Sequence, residues 1–315
     1  MTVVRLATVA DAAAVHAVTQ DAYADYAGRL DPPSGALRET EDQVAADLAV
    51  GGLVADAGGA VVGALRFRRG SGGTLWVRRV SVAPAHRRRG LARLLLRAAE
   101  VDARRRGATR LRLGVRHVLP ANRRLYEREG WVPLRRHDFW DEMARPLPLP
   151  VASPAAMREL GARLAREVVR AGDLVLLDGP LGAGKTVFAQ GVARGLDIDG
   201  PVRSPTYTLV DSHGGGRVPL MHLDAWRLGG PGELDDLDLE PATETAVTLV
   251  EWGVGRAEQL AAARLVVRVV PRDGADGSGG DGAGGRADDD EAVRDVLLTP
   301  VGGDWAARLA AAGLL

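Results

Sequence analysis

Gly179-Pro180-Leu181-Gly182-Ala183-Gly184-Lys185-Thr186 matches the pattern G-x-x-x-x-G-K-[ST] without interruption. Before it, Asp173-Leu174-Val175-Leu176-Leu177-Asp178 reads as a short buried strand; after it, Val187 to Arg194 reads as a helix ending near Gly195. Strand, glycine loop and helix are the context in which this pattern binds phosphate. Glycines let successive backbone N–H groups converge on an anion, and the helix N-terminus adds partial positive charge. Gly179, Gly182, Ala183 and Gly184 therefore form the expected cradle. Lys185 can reach the β and γ phosphates of ATP, and the Thr186 hydroxyl can ligate Mg²⁺. Lys185 is the only lysine in the chain; the other 40 of its 41 basic residues are arginine. A compact ammonium stands where arginine's planar fork would not substitute.

Outward from this loop, Ser153 is placed to N-cap a helix from Pro154 to about Arg170, with apolar Met157, Leu160, Leu164 and Val168. A strand from Val218 to Leu223 delivers Asp224, and another at 246–250 delivers Glu251 and Trp252. A carboxylate ending a buried strand can hold Mg²⁺ directly or through water, which suits Asp224. Glu251 is placed to complete the metal shell or to orient the attacking water. Thr206 and Tyr207 sit on a loop without apolar periodicity and read as a switch closing on the nucleotide, or as an ordinary edge strand. The strands Leu265–Val270 and Val293–Leu298 read as a hairpin carrying a Gly/Asp-rich insertion at 273–292 that is expected to be disordered.

These segments together resemble the TsaE (YjeE) family, small ATPases of tRNA threonylcarbamoyladenosine synthesis. The resemblance rests on Leu160-Gly161, the phosphate loop, Ser204-Pro-Thr-Tyr-Thr-Leu-Val, His222-Leu-Asp224-Ala-Trp-Arg227-Leu and Val250-Glu251-Trp252. Pro180 replaces a common aspartate and Trp226 a common tyrosine; neither change removes a phosphate or metal group. The resemblance implies an ATPase that acts on TsaB–TsaD type partner proteins, and through them on tRNA, with catalysis at Lys185 and Glu251. Two alternatives stay open: a module in which ATP acts only as a switch, and a small-molecule kinase. No arginine or lysine lies between Arg227 and Arg256, and Glu233 to Glu240 is acidic instead, which disfavours a kinase lid.

Residues 1 to about 147 form another unit. A strand at Val3–Ala7 and a helix from about Ala10 to Ala24 precede strands at 52–56, 60–67 and 75–82. Then come Arg87-Arg88-Arg89-Gly90-Leu91-Ala92, an amphipathic helix to about Arg106 and a strand from Arg110 to Val115. The order resembles the GNAT family of acetyl-CoA-dependent N-acetyltransferases, whose acyl-CoA motif [QR]-x-x-G-x-[GA] corresponds to Arg87, Gly90 and Ala92. The resemblance implies that the backbone from Val82 through Arg87, Arg88, Gly90, Leu91 and Ala92 holds the coenzyme. It further implies that Asn122 contacts the coenzyme and that the Tyr126 hydroxyl protonates the departing thiolate; i and i+4 spacing puts both on one helix face. Trp76 stands roughly where many relatives carry a glutamate base, so no carboxylate of this unit is assigned that role. A domain that only binds CoA is the alternative, and the acetyl acceptor is open among a protein N-terminus, a lysine and a small amine.

The fold expected is thus α/β throughout: a GNAT-type mixed α/β domain (1–147), a Pro-rich linker (148–154) and a P-loop NTPase α/β domain (155–315). Pro146, Pro148, Pro150 and Pro154 mark the joint as an extended, semi-rigid spacer. Residues 1–150 hold 25 arginines and 16 acidic residues and the remainder 16 basic and 25 acidic, so a net charge of zero conceals units of opposite sign. The basic unit suits CoA or tRNA, or is simply a solvated face. With no cysteine, disulfides and thiolate-bound metals are excluded. No apolar run reaches membrane-spanning length and no signal peptide is read, so no membrane partner and a cytoplasmic location are expected.

Overall fold

The computed structural model describes residues 1–205, 208–228, 231–235, 244–272 and 293–315. Thr206, Tyr207, the end of the acidic run at 236–240 and the insertion at 273–292 lie outside the described residues. The chain divides into two compact units, Met1–Leu147 with Leu315, and Pro148–Leu314.

The first unit runs β1 (Thr2–Leu6), α1 (Ala12–Ala24), α2 (Glu41–Val50), β2 (Gly52–Ala57), β3 (Ala60–Arg69), β4 (Thr74–Val82), α3 (Leu91–Arg105), β5 (Arg110–Arg116), α4 (Pro120–Arg128), β6 (Val132–Arg136) and β7 (Trp140–Arg145). Its sheet has the order β1-β2-β3-β4-β5-β7-β6. Neighbours are antiparallel except β4 and β5, which run parallel from Thr74 opposite Arg110 to Val77 opposite Leu113. Beyond that point β4 continues to Val82 and β5 to Arg116 without pairing to each other, so the sheet opens into a wedge between them. Leu91, Leu95, Leu96, Ala99 and Ala103, at helical spacing on α3, close one face over Phe67, Val77, Leu111 and Leu113. Val15 and Val18 of α1 and Val44 and Leu48 of α2 pack with Val54 and Ala64 in a second, smaller core. A reciprocal capping box between Thr40 and Gln43 starts α2.

The second unit runs β8 (Leu149–Val151), α5 (Pro154–Glu167), β9 (Leu174–Asp178), α6 (Lys185–Gly195), β10 (Val210–His213), β11 (Leu220–Asp224), α7 (Pro231–Asp235), β12 (Val247–Glu251), β13 (Arg264–Pro271), β14 (Arg294–Val301) and α8 (Trp305–Ala311). The sheet order is β10-β11-β12-β9-β13-β14-β8. The four central strands β11, β12, β9 and β13 are parallel, and the flanking pairs antiparallel. The near-continuous buried runs of β11, β12 and β9 are those of strands covered on both faces, whereas burial alternates along β13. The expected spacer at 148–154 is corrected here: Leu149–Val151 is a strand, with Val151 opposite Arg294 and Leu149 opposite Val296. Pro150 is tolerated there because an edge strand has no ladder to complete on its outer side. Helix α5 crosses α6 at very short range: a Cβ on Gly161 would meet the Phe188 carbonyl oxygen at 2.4 Å, and one on Gly191 the Arg158 carbonyl oxygen at 2.2 Å.

Candidate functional site

In the second unit β9 ends at Asp178 and the chain turns through the glycine loop into α6, whose N-cap is Gly184 at φ 105°. Gly179 is required on two counts: its φ is 142°, and a Cβ there would lie 2.2 Å from the Val269 carbonyl oxygen. The Lys185 ammonium folds back over the loop, donating to the Gly179 carbonyl at 2.8 Å and the Pro180 carbonyl at 2.9 Å. It also lies 3.6 Å from the centre of the Trp252 ring, a cation–π contact. Burial pulls the ammonium below its ordinary lysine value, while the carboxylates of Glu251, Asp224 and Asp178 act in the opposite direction.

Asp224 and Glu251 end adjacent parallel strands and stand side by side in register. Both are buried, at 4% and 3% exposure. Thr186 Oγ1 donates to Glu251, 2.9 Å from Oε1 and 3.2 Å from Oε2. Asp224 accepts from the Ser204 hydroxyl at 3.0 Å and from the Trp226 backbone N–H at 2.9 Å. A contribution the sequence reading left unassigned is His222: fully buried, its Nε2 lies 3.1 Å from Glu251 Oε1, so the carboxylate is held from two sides. Its position two residues before Asp224 on a strand is the signal that puts both side chains on one face of the sheet.

This donor set suits a small hard cation. All the groups offer oxygen, and a threonine hydroxyl that donates its proton to a carboxylate keeps lone pairs free for a metal. The loop suits a phosphate at Gly182, where there is open space: a Cβ there would meet nothing within 4 Å. The structure thus brings Gly179, Gly182, Gly184, Lys185, Thr186, Asp224 and Glu251 to one end of the parallel strands. Ala183, also of the loop, is buried.

In the first unit the wedge between β4 and β5 opens into a cavity of about 580 Å³. Val82, Arg87, Ala92, Asn122 and Tyr126 line it. Gly90 caps α3 in the left-handed region at φ 77°, and Leu91 anchors the helix in the core. Arg87 donates to Asp25 at 2.6 Å and to the Ala22 carbonyl at 3.0 Å, so its charge is already engaged, whereas Arg88 is exposed. Tyr126 is buried in the last turn of α4, edge-on to Trp131 at 6.4 Å. Burial, reinforced by Tyr23 and Tyr26, pushes its hydroxyl well above the usual phenol value and keeps it protonated. Trp76 lines the cavity, as do Trp140 and five arginines; no aspartate or glutamate does.

Nucleotide chemistry in open α/β sheets sits in the crevice at the carboxyl ends of the strands, and by fold and loop the second unit falls in the P-loop NTPase class. The family model described as "Threonylcarbamoyl adenosine biosynthesis protein TsaE" matches residues 151–276, and that of the "Acetyltransferase (GNAT) family" matches residues 15–131. Over 153 residues the chain is 44% identical to the tRNA threonylcarbamoyladenosine biosynthesis protein TsaE of Streptomyces coelicolor, covering 48% of this chain and 94% of that protein. The protein of the same name from Bacillus subtilis is 40% identical over 142 residues, 45% of this chain and 78% of its own. Among solved structures, the PaiA N-acetyltransferase of Thermoplasma acidophilum in complex with coenzyme A aligns with 46% of this chain and 98% of its own, at 16% identity and a TM-score of 0.42. The chain belongs to the TsaE family, and carries a GNAT-family acetyltransferase domain ahead of its TsaE domain. The expected order of a mixed α/β acetyltransferase fold followed by a P-loop α/β fold is the one present, and the chain is an enzyme of ATPase and N-acetyltransferase classes. Among the described residues no helix is long and apolar enough to cross a membrane.

Proposed function

We propose that the second unit hydrolyses ATP in support of threonylcarbamoyladenosine formation in tRNA, and that the first transfers acetyl groups from acetyl-CoA to an amine. The observation that carries the ATPase assignment is the hydrogen bond from Thr186 to the buried Glu251 beside Asp224, at the mouth of the glycine loop. Thr186, Asp224 and Glu251 would hold Mg²⁺, which when bound supplies charge neutralisation at phosphate oxygens. The N–H groups of Gly182, Ala183 and Gly184 bind phosphate. Lys185 exchanges its two loop carbonyls for phosphate oxygens, with the Trp252 ring against its ammonium. Glu251, fixed by Thr186 and His222, orients the attacking water. The partners of this ATPase are TsaB–TsaD type proteins, reset by hydrolysis between turnovers, so that contact with tRNA is chiefly through them.

In the first unit the backbone from Val82 to Ala92 holds the pyrophosphate of acetyl-CoA, with Asn122 alongside. The acceptor nitrogen attacks the thioester carbon, the C–S bond breaks, Tyr126 gives its proton to the departing thiolate, and the nitrogen sheds a proton to water as the amide forms. The compartment proposed is the cytoplasm. With purified full-length protein, Lys185→Ala should weaken Mg·ATP binding or turnover by about tenfold or more, because the cradle loses the ammonium that faces the phosphates. Wild-type ATPase rates in that variant would remove the site.

A further inference from the structure

We infer that the acetyl acceptor is a primary amine that also carries an anionic group, and that Arg78 selects it. The inference rests on the acetyltransferase reading above and names its substrate class.

The cavity between β4 and β5 is lined by Arg68, Arg78, Arg79, Arg87 and Arg116 and by no acidic side chain. Three of the five already have partners. Arg79 is paired with Glu39 at 2.7 Å, Arg87 with Asp25 at 2.6 Å, and Arg116 donates to the Pro32 carbonyl and lies 4.4 Å from the centre of the Phe139 ring. Arg68 and Arg78 have neither an ion pair nor a hydrogen bond among the described residues. Arg68 is exposed and can be satisfied by water, but Arg78 is half-buried in the cavity wall. Burial, and then Arg79 and Arg68, disfavour its charge, and the more distant carboxylates of Asp47 and Glu39 offset this only in part. A half-buried guanidinium that makes no direct ion pair is available to a ligand, and its planar fork matches a carboxylate or phosphate. An anion on the bound substrate supplies the direct contact that Asp47 and Glu39 do not make.

The rest of the cavity fits a compact acceptor with an apolar body. Trp76 and Trp140 meet edge to face at 6.3 Å, and Trp140 stacks on His137 at 4.0 Å. Gly114 admits the indole, since a Cβ there would stand 2.8 Å from the Trp140 ring. The same charge pattern accounts for the missing base. Surrounding arginines disfavour the ammonium form of the acceptor, so more of it is the free amine that attacks the thioester. The C–N bond forms as the C–S bond breaks, the thiolate takes its proton from Tyr126, and the proton shed by the new amide nitrogen passes to water. Polycationic amines are repelled by the same lining.

The test uses the full chain with acetyl-CoA and matched acceptors: phenylalanine against phenylalaninamide, O-phosphoethanolamine against ethanolamine, and spermidine as a polycation. Release of free CoA thiol gives kcat/KM. Calorimetry on the CoA-loaded protein compares N-acetylphenylalanine with its amide, a readout that needs no turnover. The anionic member of at least one pair should be preferred by about tenfold, the worth of one charge-assisted bidentate contact. The pair that shows the preference separates a carboxylate from a phosphate. Arg78→Ala, and Arg78→Gln as a variant that keeps the stem, should erase the preference with coenzyme A affinity within about twofold and melting temperature unchanged. A preference for spermidine or for the neutral members, or equal binding of N-acetylphenylalanine and its amide with no preference in any pair, overturns the inference while leaving the coenzyme site intact. Persistence of the preference in both variants overturns the role of Arg78. Absence of CoA binding by calorimetry overturns the acetyltransferase reading itself.

Discussion

Replacing Glu251 by glutamine separates chemistry from folding in the second unit. The side chain is 3% exposed, accepts from Thr186 at 2.9 and 3.2 Å, has His222 at 3.1 Å, and stands in register beside Asp224. Glutamine keeps the volume and a carbonyl that still accepts from Thr186; what disappears is the full negative charge. Hydrogen bonds to a charged group contribute about 1.5–3 kcal/mol against about 1 for a neutral pair, so the loss in the resting site is about 1–2 kcal/mol. In the nucleotide-free protein this is offset, because two adjacent buried carboxylates repel and glutamine relieves that repulsion. The melting temperature without nucleotide should therefore stay within about 4 °C of wild type. Turnover has no such compensation. A group that orients the attacking water and balances charge as the phosphoryl group transfers contributes about 2.7–4 kcal/mol, a factor of about 10² to 10³ in kcat. The assay is phosphate release at saturating Mg·ATP, with a thermal melt on the same preparations. A kcat within about threefold of wild type would refute the reasoning, and so would activity lost together with a collapse of the melt, which would make Glu251 a structural residue.

Tyr126→Phe should leave acetyl-CoA binding nearly intact and slow acetyl transfer by about 10² or more, measured by calorimetry and thiol release; unchanged kcat would remove its role as acid. Gly90→Val should abolish coenzyme binding, since a left-handed φ of 77° costs a β-branched residue and the new side chain pushes the backbone away from the pyrophosphate; full affinity in that variant would refute it. Gly191→Ala should lower stability by about 1–3 kcal/mol, read from the urea midpoint, because its Cβ would sit 2.2 Å from the Arg158 carbonyl oxygen and force α5 and α6 apart. Burial pushes the Glu39 carboxyl up, but hydrogen bonds from Arg79 and Arg66 outweigh it and hold the group below its ordinary value. The unfolded chain then takes up the proton first, so this stabilisation is complete above about pH 4.3 and is lost as pH falls through the folded-state value. Glu39→Gln should cost about 3 kcal/mol at neutral pH and flatten the acid limb of the urea midpoint; an unchanged limb would contradict the pairing.

The nucleotide site was legible because its parts are local. Gly179 to Thr186 carry their own geometry, and a strand that ends in Asp224 or Glu251 announces a carboxylate at the sheet edge. Gly161 was legible only as part of a resemblance; its reason, a helix crossing against Phe188 and Val192, is a contact between segments far apart in the chain. The grip of His222 on Glu251 joins two strands 29 residues apart; the spacing of His222 from Asp224 puts it on the right face, but only the pairing of the strands brings it to Glu251. Leu149–Val151 misled because alternating prolines suit an extended spacer and an edge strand equally well, and only pairing with β14 decides between them. Arg78 was one arginine among 25 in its half of the chain; what distinguishes it is a half-buried place in the cavity wall with no ion pair or hydrogen bond among the described residues, which no pattern of residues records.

The central claim is that this chain serves threonylcarbamoyladenosine formation through the site at Lys185, Thr186 and Glu251. It is tested most directly by mass spectrometry of tRNA nucleosides from cells depleted of the protein and complemented with wild type or with Glu251→Gln. Depletion should lower the modified base, wild type should restore it, and the variant should not. Normal levels after depletion in cells without a second TsaE copy, or full restoration by Glu251→Gln, would contradict the account.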